Sequence, residues 1–283
     1  MSSVAKNNDN IIGLIAGGGR LPLIIAQGVR AAGFKIACAG LGDNPEPELK
    51  TLVDSYSTVP LARLGVWLKE LKKYNATNAI MVGKVHKEKL FTPWRILKYL
   101  PDWRAIRIYY WRLKKKNKTD QTILQAIADE LASGGVILQD STKFCKEHLA
   151  IQGVMTKNQP TGEIQQDIDY GWPLAKSIAV TGIGQAIAVR EKTVIAVEAV
   201  EGTGRMIERC GQFCKKGGWT LLKVCKTDHD MRFDVPCVGI DTIRSISENK
   251  GKCLVVEAGK TIIIDKPQTI ALANELGIII VGL

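Results

Sequence analysis

The chain has 283 residues, 46% of them hydrophobic and 24% charged, with a formal charge of +11. That length exceeds one small core and fits two ordinary domains, and the composition is that of a globular protein. A disordered, collagen-like or disulfide-scaffold chain is excluded, and no run approaches the roughly 18 uncharged apolar residues of a spanning helix.

The polar opening, residues 1–10, lacks an apolar h-region, so a short frayed tail is expected there and not a signal peptide. Residues 11–16 read as a buried strand, 17–20 as a tight glycine turn, and 21–32 as a helix with Pro22 in its first turn. A second strand is expected at 34–39, an amphipathic helix at 61–73 and a third strand at 78–82. Thr119 can cap a helix running to Ala132, which Gly134-Gly135 stop before a strand at 136–138. Such alternation implies a parallel sheet with helices on its faces. The expected fold class is therefore α/β in two domains. The first is a Rossmann-like parallel-sheet domain over 1–138, followed by a linker at 139–165 and a mixed α/β domain over 166–283. In the second domain, 185–190 and 193–200 alternate as a hairpin. A helix follows at 203–216, closed by Gly217-Gly218, then a strand at 219–225 and a helix at 238–248. Residues 253–257 and 261–265 read as a strand pair, Pro267 opens the last helix, and 278–281 is the final strand.

The charge is unevenly placed. Residues 84–118 hold twelve Lys and Arg against Glu88 and Asp102, so nearly all of the net charge sits there. The same stretch carries seven aromatics, among them Trp94, Trp103, Tyr109, Tyr110 and Trp111, with aliphatics between them. Interleaved bases, aromatics and aliphatics suit an anionic lipid surface. Nucleic acid and a plain solvated helical face are the alternatives, and the aliphatic share favours lipid. Seven cysteines with no CxxC pair read as reduced thiols filling cores. Three histidines leave carboxylates to do most acid–base or metal work.

Candidate chemistry lies at element ends. Gly17-Gly18-Gly19 follows a strand and opens a helix, where backbone N–H groups can cradle phosphate. Gly17-x-Gly19-x-x-Pro22 lacks the third glycine of the dinucleotide fingerprint, so a merely tight turn is an equal reading. Gly83-Lys84 should lie at the same sheet edge. In the second domain, Asp228, His229, Asp230, Arg232 and Asp234 crowd into seven positions after a strand. Hard oxygen ligands of this kind suit Mg²⁺ or Mn²⁺, and the arginine suits a phosphate. A solvated turn is the bland alternative. Glu198 and Glu201-Gly202-Thr203 end the hairpin at a helix N-terminus, another anion-friendly edge. Residues 167–171 and 182–185 could be polar sites or plain turns.

These pieces together resemble a family. Gly13-Leu14-Ile15-Ala16-Gly17-Gly18-Gly19-Arg20-Leu21-Pro22 is similar to the opening of the UDP-2,3-diacylglucosamine pyrophosphatases of the LpxI type. Gly83-Lys84-Val85, Asp167-Ile168 with Gly171, Ala175-Lys176 and Ile183-Gly184-Gln185 continue the resemblance. So do Val197-Glu198-Ala199, Glu201-Gly202-Thr203, Arg232-Phe233-Asp234-Val235-Pro236 and Glu257-Ala258-Gly259. Gly182 and Gly204 depart from it, standing where the family carries acidic residues, so no role is carried over to them.

The resemblance implies a cytoplasmic hydrolase of lipid A biosynthesis, peripheral on the inner membrane of a Gram-negative bacterium. Its reaction would split the pyrophosphate of UDP-2,3-diacylglucosamine into UMP and 2,3-diacylglucosamine 1-phosphate (lipid X), with Mg²⁺. Water would attack the sugar-side phosphorus, and the substrate would lie between the two domains. On that reading Asp234 and Asp230 hold the metal, Arg232 and Lys223 clamp phosphate oxygens, and Glu201 orders the water or the metal shell. Gly17, Gly18, Gly19 and Arg20 take the uridine or phosphate end. Gly83, Lys84, Asp167, Gln185 and Thr203 complete the substrate-binding set. The partners are the lipid nucleotide and the membrane surface, not nucleic acid, with a homodimer left open. Two rival classes stay in play: a nucleotide-dependent Rossmann-type oxidoreductase, and a non-enzymatic basic protein that binds lipid or nucleic acid.

Overall fold

The computed structural model describes residues 10–85, 100–108, 120–225, 230–233 and 235–283. The chain divides into two units, Met1–Cys145 with Arg232–Asp234, and Lys146–Met231 with Val235–Leu283.

The first unit runs β1 (Ile11–Ala16), α1 (Leu21–Ala31), β2 (Lys35–Leu41), α2 (Leu49–Leu52), β3 (Ser55–Val59), α3 (Leu64–Lys73) and β4 (Asn78–Val82). It continues with α4 (Trp103–Arg107), α5 (Asp120–Ser133) and β5 (Ile137–Leu138). The strands pair in the order β3-β2-β1-β4-β5, all parallel. β1 and β2 are near-continuous apolar runs, as strands covered on both faces must be. Ile15, Ala37 and Ala39 pack in one cluster with Trp67, Leu68 and Leu71 of α3 and Leu131 of α5. The alternate residues Leu14 and Ile36 are buried outside that cluster, and α1 packs on β1 and β2. Helices therefore cover both faces. The parallel sheet flanked by helices was expected; the polar strand β3 at one edge was not.

Of the basic stretch 84–118, residues 84, 85 and 100–108 are described, and the remainder lies outside the described residues. Asp102 caps α4, one carboxylate oxygen accepting from Ala105 N at 2.9 Å and the other from Gly65 N at 2.5 Å. Arg104 and Arg107 both donate to the fully buried carboxylate of Glu130. Burial pushes the Glu130 carboxyl up, but hydrogen bonds from Arg107 and Arg104 outweigh it and hold the group below the ordinary carboxylate value. These two arginines are internal braces. Trp103 beside them stays 64% exposed.

The second unit contains β6 (Gly153–Val154), α6 (Gly162–Thr181), β7 (Ala186–Arg190), β8 (Thr193–Val197), α7 (Gly202–Phe213) and β9 (Thr220–Lys223). After these come β10 (Cys237–Val238), α8 (Ile240–Glu248), β11 (Cys253–Val256), β12 (Ile262–Ile263), α9 (Lys266–Glu275) and β13 (Ile279–Gly282). Its mixed sheet has the order β6-β13-β11-β9-β7-β8. β13, β11 and β9 are parallel, while β7, β8 and β6 pair antiparallel with their neighbours. Alternation sorts the two faces. Ala186, Ala188, Leu221 and Leu254 pack with Met206 and Ile207 of α7, Ile243 of α8 and Ala273 of α9. Ile187, Val189, Leu222 and Val255 pack with Ile164, Ile168, Ala175 and Ala179 of α6.

Three expectations need correcting. The linker expected at 139–165 carries structure of its own: a 3-10 turn at Lys146–His148, the strand β6 and the start of α6. Residues 167–171 are helix, not turn. A Cβ on Gly171 would fall 2.8 Å from Leu222 Cδ1 and 2.9 Å from Val189 Cγ2, so glycine lets α6 lie directly on β7 and β9. The strand at 261–265 pairs in parallel with β10, not with β11, as a separate two-stranded sheet. No helix among the described residues is long and apolar enough to cross a membrane.

Candidate functional site

Open α/β sheets bind ligands beyond the carboxyl ends of their strands. Each unit has such an edge, and the two are built differently.

In the first unit β1 and β4 end side by side. Gly17 N–H donates to Val82 O, Gly18 N–H to Lys84 O and Lys84 N–H to Gly18 O, each at 2.8 Å. A Cβ on Gly17 would lie 2.7 Å from Lys84 O, and one on Gly83 (φ +99°) would lie 2.7 Å from the Gly17 carbonyl carbon. The glycines thus serve a close crossing of two backbones. The amides of Gly17 and Gly18, expected to cradle phosphate, are already bonded within the fold. Gly19 (φ +88°) turns the chain, and Arg20 caps α1 by accepting from Leu23 and Ile24 N–H through its carbonyl.

The segment from the later motif joins this same edge. Ser141, just past β5, donates through its hydroxyl to Arg232 O at 2.8 Å and reaches Met81 O of β4 at 3.3 Å. The Arg232 guanidinium donates to Gln125 Oε1 of α5 at 2.7 Å, and Phe233 is buried in the first unit's core. Arg232 therefore belongs to the first unit, held by Ser141 and by Gln125 of α5, although the chain on either side of 232–234 belongs to the second unit. Asp230 is half-buried; Asp234 lies outside the described residues.

In the second unit β9, β11 and β13 end together, with the N-terminus of α7 beside them. Glu198 Oε1 accepts from the Thr203 hydroxyl at 2.6 Å, and that hydroxyl accepts from Lys223 Nζ at 3.0 Å. Glu198 Oε2 accepts from Gln185 N–H at 3.3 Å, and Gln185 O accepts from Val224 N–H. Next along, Glu257 accepts from Lys176 Nζ at 2.6 Å and Cys225 N–H at 2.9 Å, with Lys260 Nζ at 2.8 Å. Burial raises the Glu257 pKa, but hydrogen bonds from Lys176, Lys260 and Cys225 N–H prevail and leave it lowered. Burial pushes the Cys225 thiol up to about 12, and the Glu257 charge adds to this, so Cys225 is no nucleophile.

Of the residues expected at a site, Gln185, Thr203 and Lys223 meet here. Asp167 does not. Its carboxylate accepts from Lys192 N–H at 2.8 Å and braces the hairpin turn, at the opposite end of β7. Glu201 commits both oxygens locally, to Arg209 at 2.6 Å and Ala199 N–H at 3.1 Å, which leaves it poorly placed to order a water. Sequence reasoning gave no role to Glu257, Lys176, Lys260, Ser141 or Gln125. A carboxylate directly after a four-residue apolar strand, with a lysine three positions on, was the available signal for Glu257 and Lys260. No three Asp, Glu, His or Cys side chains converge to hold a metal among the described residues.

The geometry defines an α/β protein of two units, in each of which parallel strands end together at a carboxyl edge. Family models extend the match to almost the whole chain: the LpxI N-terminal domain over residues 11–148 and the LpxI C-terminal domain over 151–281. The chain belongs to the LpxI family. The UDP-2,3-diacylglucosamine pyrophosphatase LpxI of Caulobacter vibrioides is 28% identical over 280 residues, covering 96% of each chain. Among solved structures, phosphoribosylglycinamide synthetase from Anaerococcus prevotii matches 71% of this chain and 35% of its own, at 14% identity and a TM-score of 0.26.

Proposed function

We propose that this protein hydrolyses UDP-2,3-diacylglucosamine to UMP and 2,3-diacylglucosamine 1-phosphate, a step of lipid A biosynthesis. The observation that carries the reading is the match to the Caulobacter protein of that name over 96% of both chains. Water attacks the sugar-side phosphorus, the bridging oxygen leaves with UMP, and Arg232 supplies a guanidinium for phosphate oxygens at the first unit's edge. Asp230 and Asp234 are the proposed holders of a divalent ion. Such an ion would neutralise pyrophosphate charge. Among the described residues no three carboxylate, imidazole or thiol groups come together to complete its donor set. The basic segment 84–118, most of which lies outside the described residues, is the proposed contact with the membrane surface from which such a lipid is drawn.

The test is UMP release from the lipid nucleotide, with and without EDTA. Asp234→Ala is expected to lower turnover at least ~100-fold, by the standard of removing one transition-state contact, with the thermal melt unchanged. Retention of more than a tenth of the wild-type rate would remove Asp234 from the chemistry.

A further inference from the structure

Helix α5 receives arginines from two separate parts of the chain and meets them with different partners. Arg104 and Arg107 end on the buried carboxylate of Glu130, which pairs with both charges. Arg232 donates to the neutral amide oxygen of Gln125, at 2.7 Å. As a brace that is the poorer choice, because a carboxylate would add its charge and a second oxygen for bidentate pairing. As a guide it is the better one. An amide fixes the direction of the guanidinium and adds no negative charge of its own to compete with an anion.

The amide is itself oriented. Its Nε2–H donates to Asp129 Oδ1 at 2.8 Å, one helical turn further on, so Oε1 is the end that faces the guanidinium. The rest of Arg232 is fixed as well. Its carbonyl accepts from the Ser141 hydroxyl at 2.8 Å. Its guanidinium carbon lies 5.5 Å from the centroid of the Phe233 ring, which is 3% exposed. An arginine arm gives up rotamer freedom when it engages a ligand; one already held at its backbone and at its tip has given it up beforehand.

We propose that Gln125, its amide oriented by Asp129, is a positioning residue for hydrolysis, holding the Arg232 guanidinium in the direction in which it meets phosphate oxygens. The role rests on the hydrolase reading for the reaction that Arg232 serves; the relay from Asp129 through Gln125 to Arg232 stands on the geometry of α5.

The experiment follows UMP release, and the rise of Tm with pyrophosphate, in wild type, Gln125→Met, Arg232→Met and the double variant. Methionine suits a helix and has nearly the length of glutamine, so without ligand Gln125→Met should melt within ~5 °C of wild type. Its kcat should fall at least ~5-fold with KM little changed, since a contact misplaced by about 1 Å can cost ~100-fold and the loss falls on the transition state. In the Arg232→Met background the same change should cost less than ~2-fold, because the group it positions is gone. A smaller loss of kcat, an equal loss in both backgrounds, or a raised KM with kcat intact would overturn the proposal. If Gln125→Met fails to fold, Asp129→Ala takes its place, at an exposed position of the same helix. A several-fold lower kcat that disappears without Arg232 supports the relay, and an unchanged one overturns it. A wild type that releases no UMP sinks the hydrolase reading and leaves pyrophosphate to decide the relay. Its stabilisation of the protein should then weaken on Gln125→Met only where Arg232 is present. A response that Gln125→Met leaves unchanged, or no response at all, overturns the relay as well. UMP release indifferent to Gln125 leaves the hydrolase reading standing and sinks the relay alone.

Discussion

The two carboxyl edges solve one problem with different chemistry. In the first unit the strand ends are closed by backbone against backbone, with Gly17 and Gly83 crossing where no side chain fits. In the second they are closed by side chains, with Glu257 and Glu198 drawing lysines and loop amides inward. A backbone closure is geometric, insensitive to pH and intolerant of a single added methyl. A charged closure tolerates changes of shape but depends on protonation. The first edge suits holding a segment in place, here Arg232 and Phe233. The second suits receiving charge.

The largest effect is expected from forcing a side chain into the backbone closure. Gly83→Ala would place a Cβ 2.7 Å from the Gly17 carbonyl carbon at a φ of +99°. Overpacking and backbone strain together should cost about 4 kcal/mol, read from urea denaturation. A loss below ~1 kcal/mol would mean that this edge yields easily. Phe233→Ala comes next. Removing a 3% exposed ring from the first unit's core should cost about 3 kcal/mol, with hydrolysis reduced as Arg232 loses its anchor. A stable variant with reduced hydrolysis would instead show that Phe233 acts at the reaction and not in the core.

The smallest effect sharpens the contrast through pH. Glu257 and Glu130 both have folded pKa values lowered below the ordinary 4.5. A lowered carboxylate contributes stability that is present above its unfolded value and lost as pH falls through the folded one. Wild-type stability should therefore decline below about pH 4.5, and Glu257→Gln should flatten part of that decline. Gly83→Ala should leave the slope as it is. An unchanged slope in Glu257→Gln would show that this closure is not held by charge.

Much of the fold was legible because its strands are continuous apolar runs punctuated by glycine, as at 11–19 and 78–83. The element missed was the longest. α6 buries Ile164, Ile168, Gly171, Ala175 and Ala179 at helical spacing, but two of those positions are alanine and one is glycine. Pro173 adds a helix-breaking signal in the interior, so small residues chosen for close packing looked like a loop. At the sites, Thr203 could be nominated from its place at a helix start, and Lys223 only through the family resemblance. That Gly17 and Gly18 spend their amides on Val82 and Lys84 could not, because the pairing joins residues more than sixty positions apart. Nor could the sequence show that Asp167 faces the hairpin turn and not the lysines.

One arrangement has a consequence for how the protein is made. Phe233 completes a core whose other members all precede Cys145, yet residues 146–232 must be synthesised before it appears. At roughly 5–20 residues per second, that interval is on the order of 5–20 s. During it the emerging amino-terminal half carries an unfilled pocket where the ring belongs. Nascent chains stalled before residue 233 should be cut by protease more readily than those stalled well beyond it. A fragment ending near residue 148 should stay less stable than the same unit within the whole chain, however carefully its boundary is drawn.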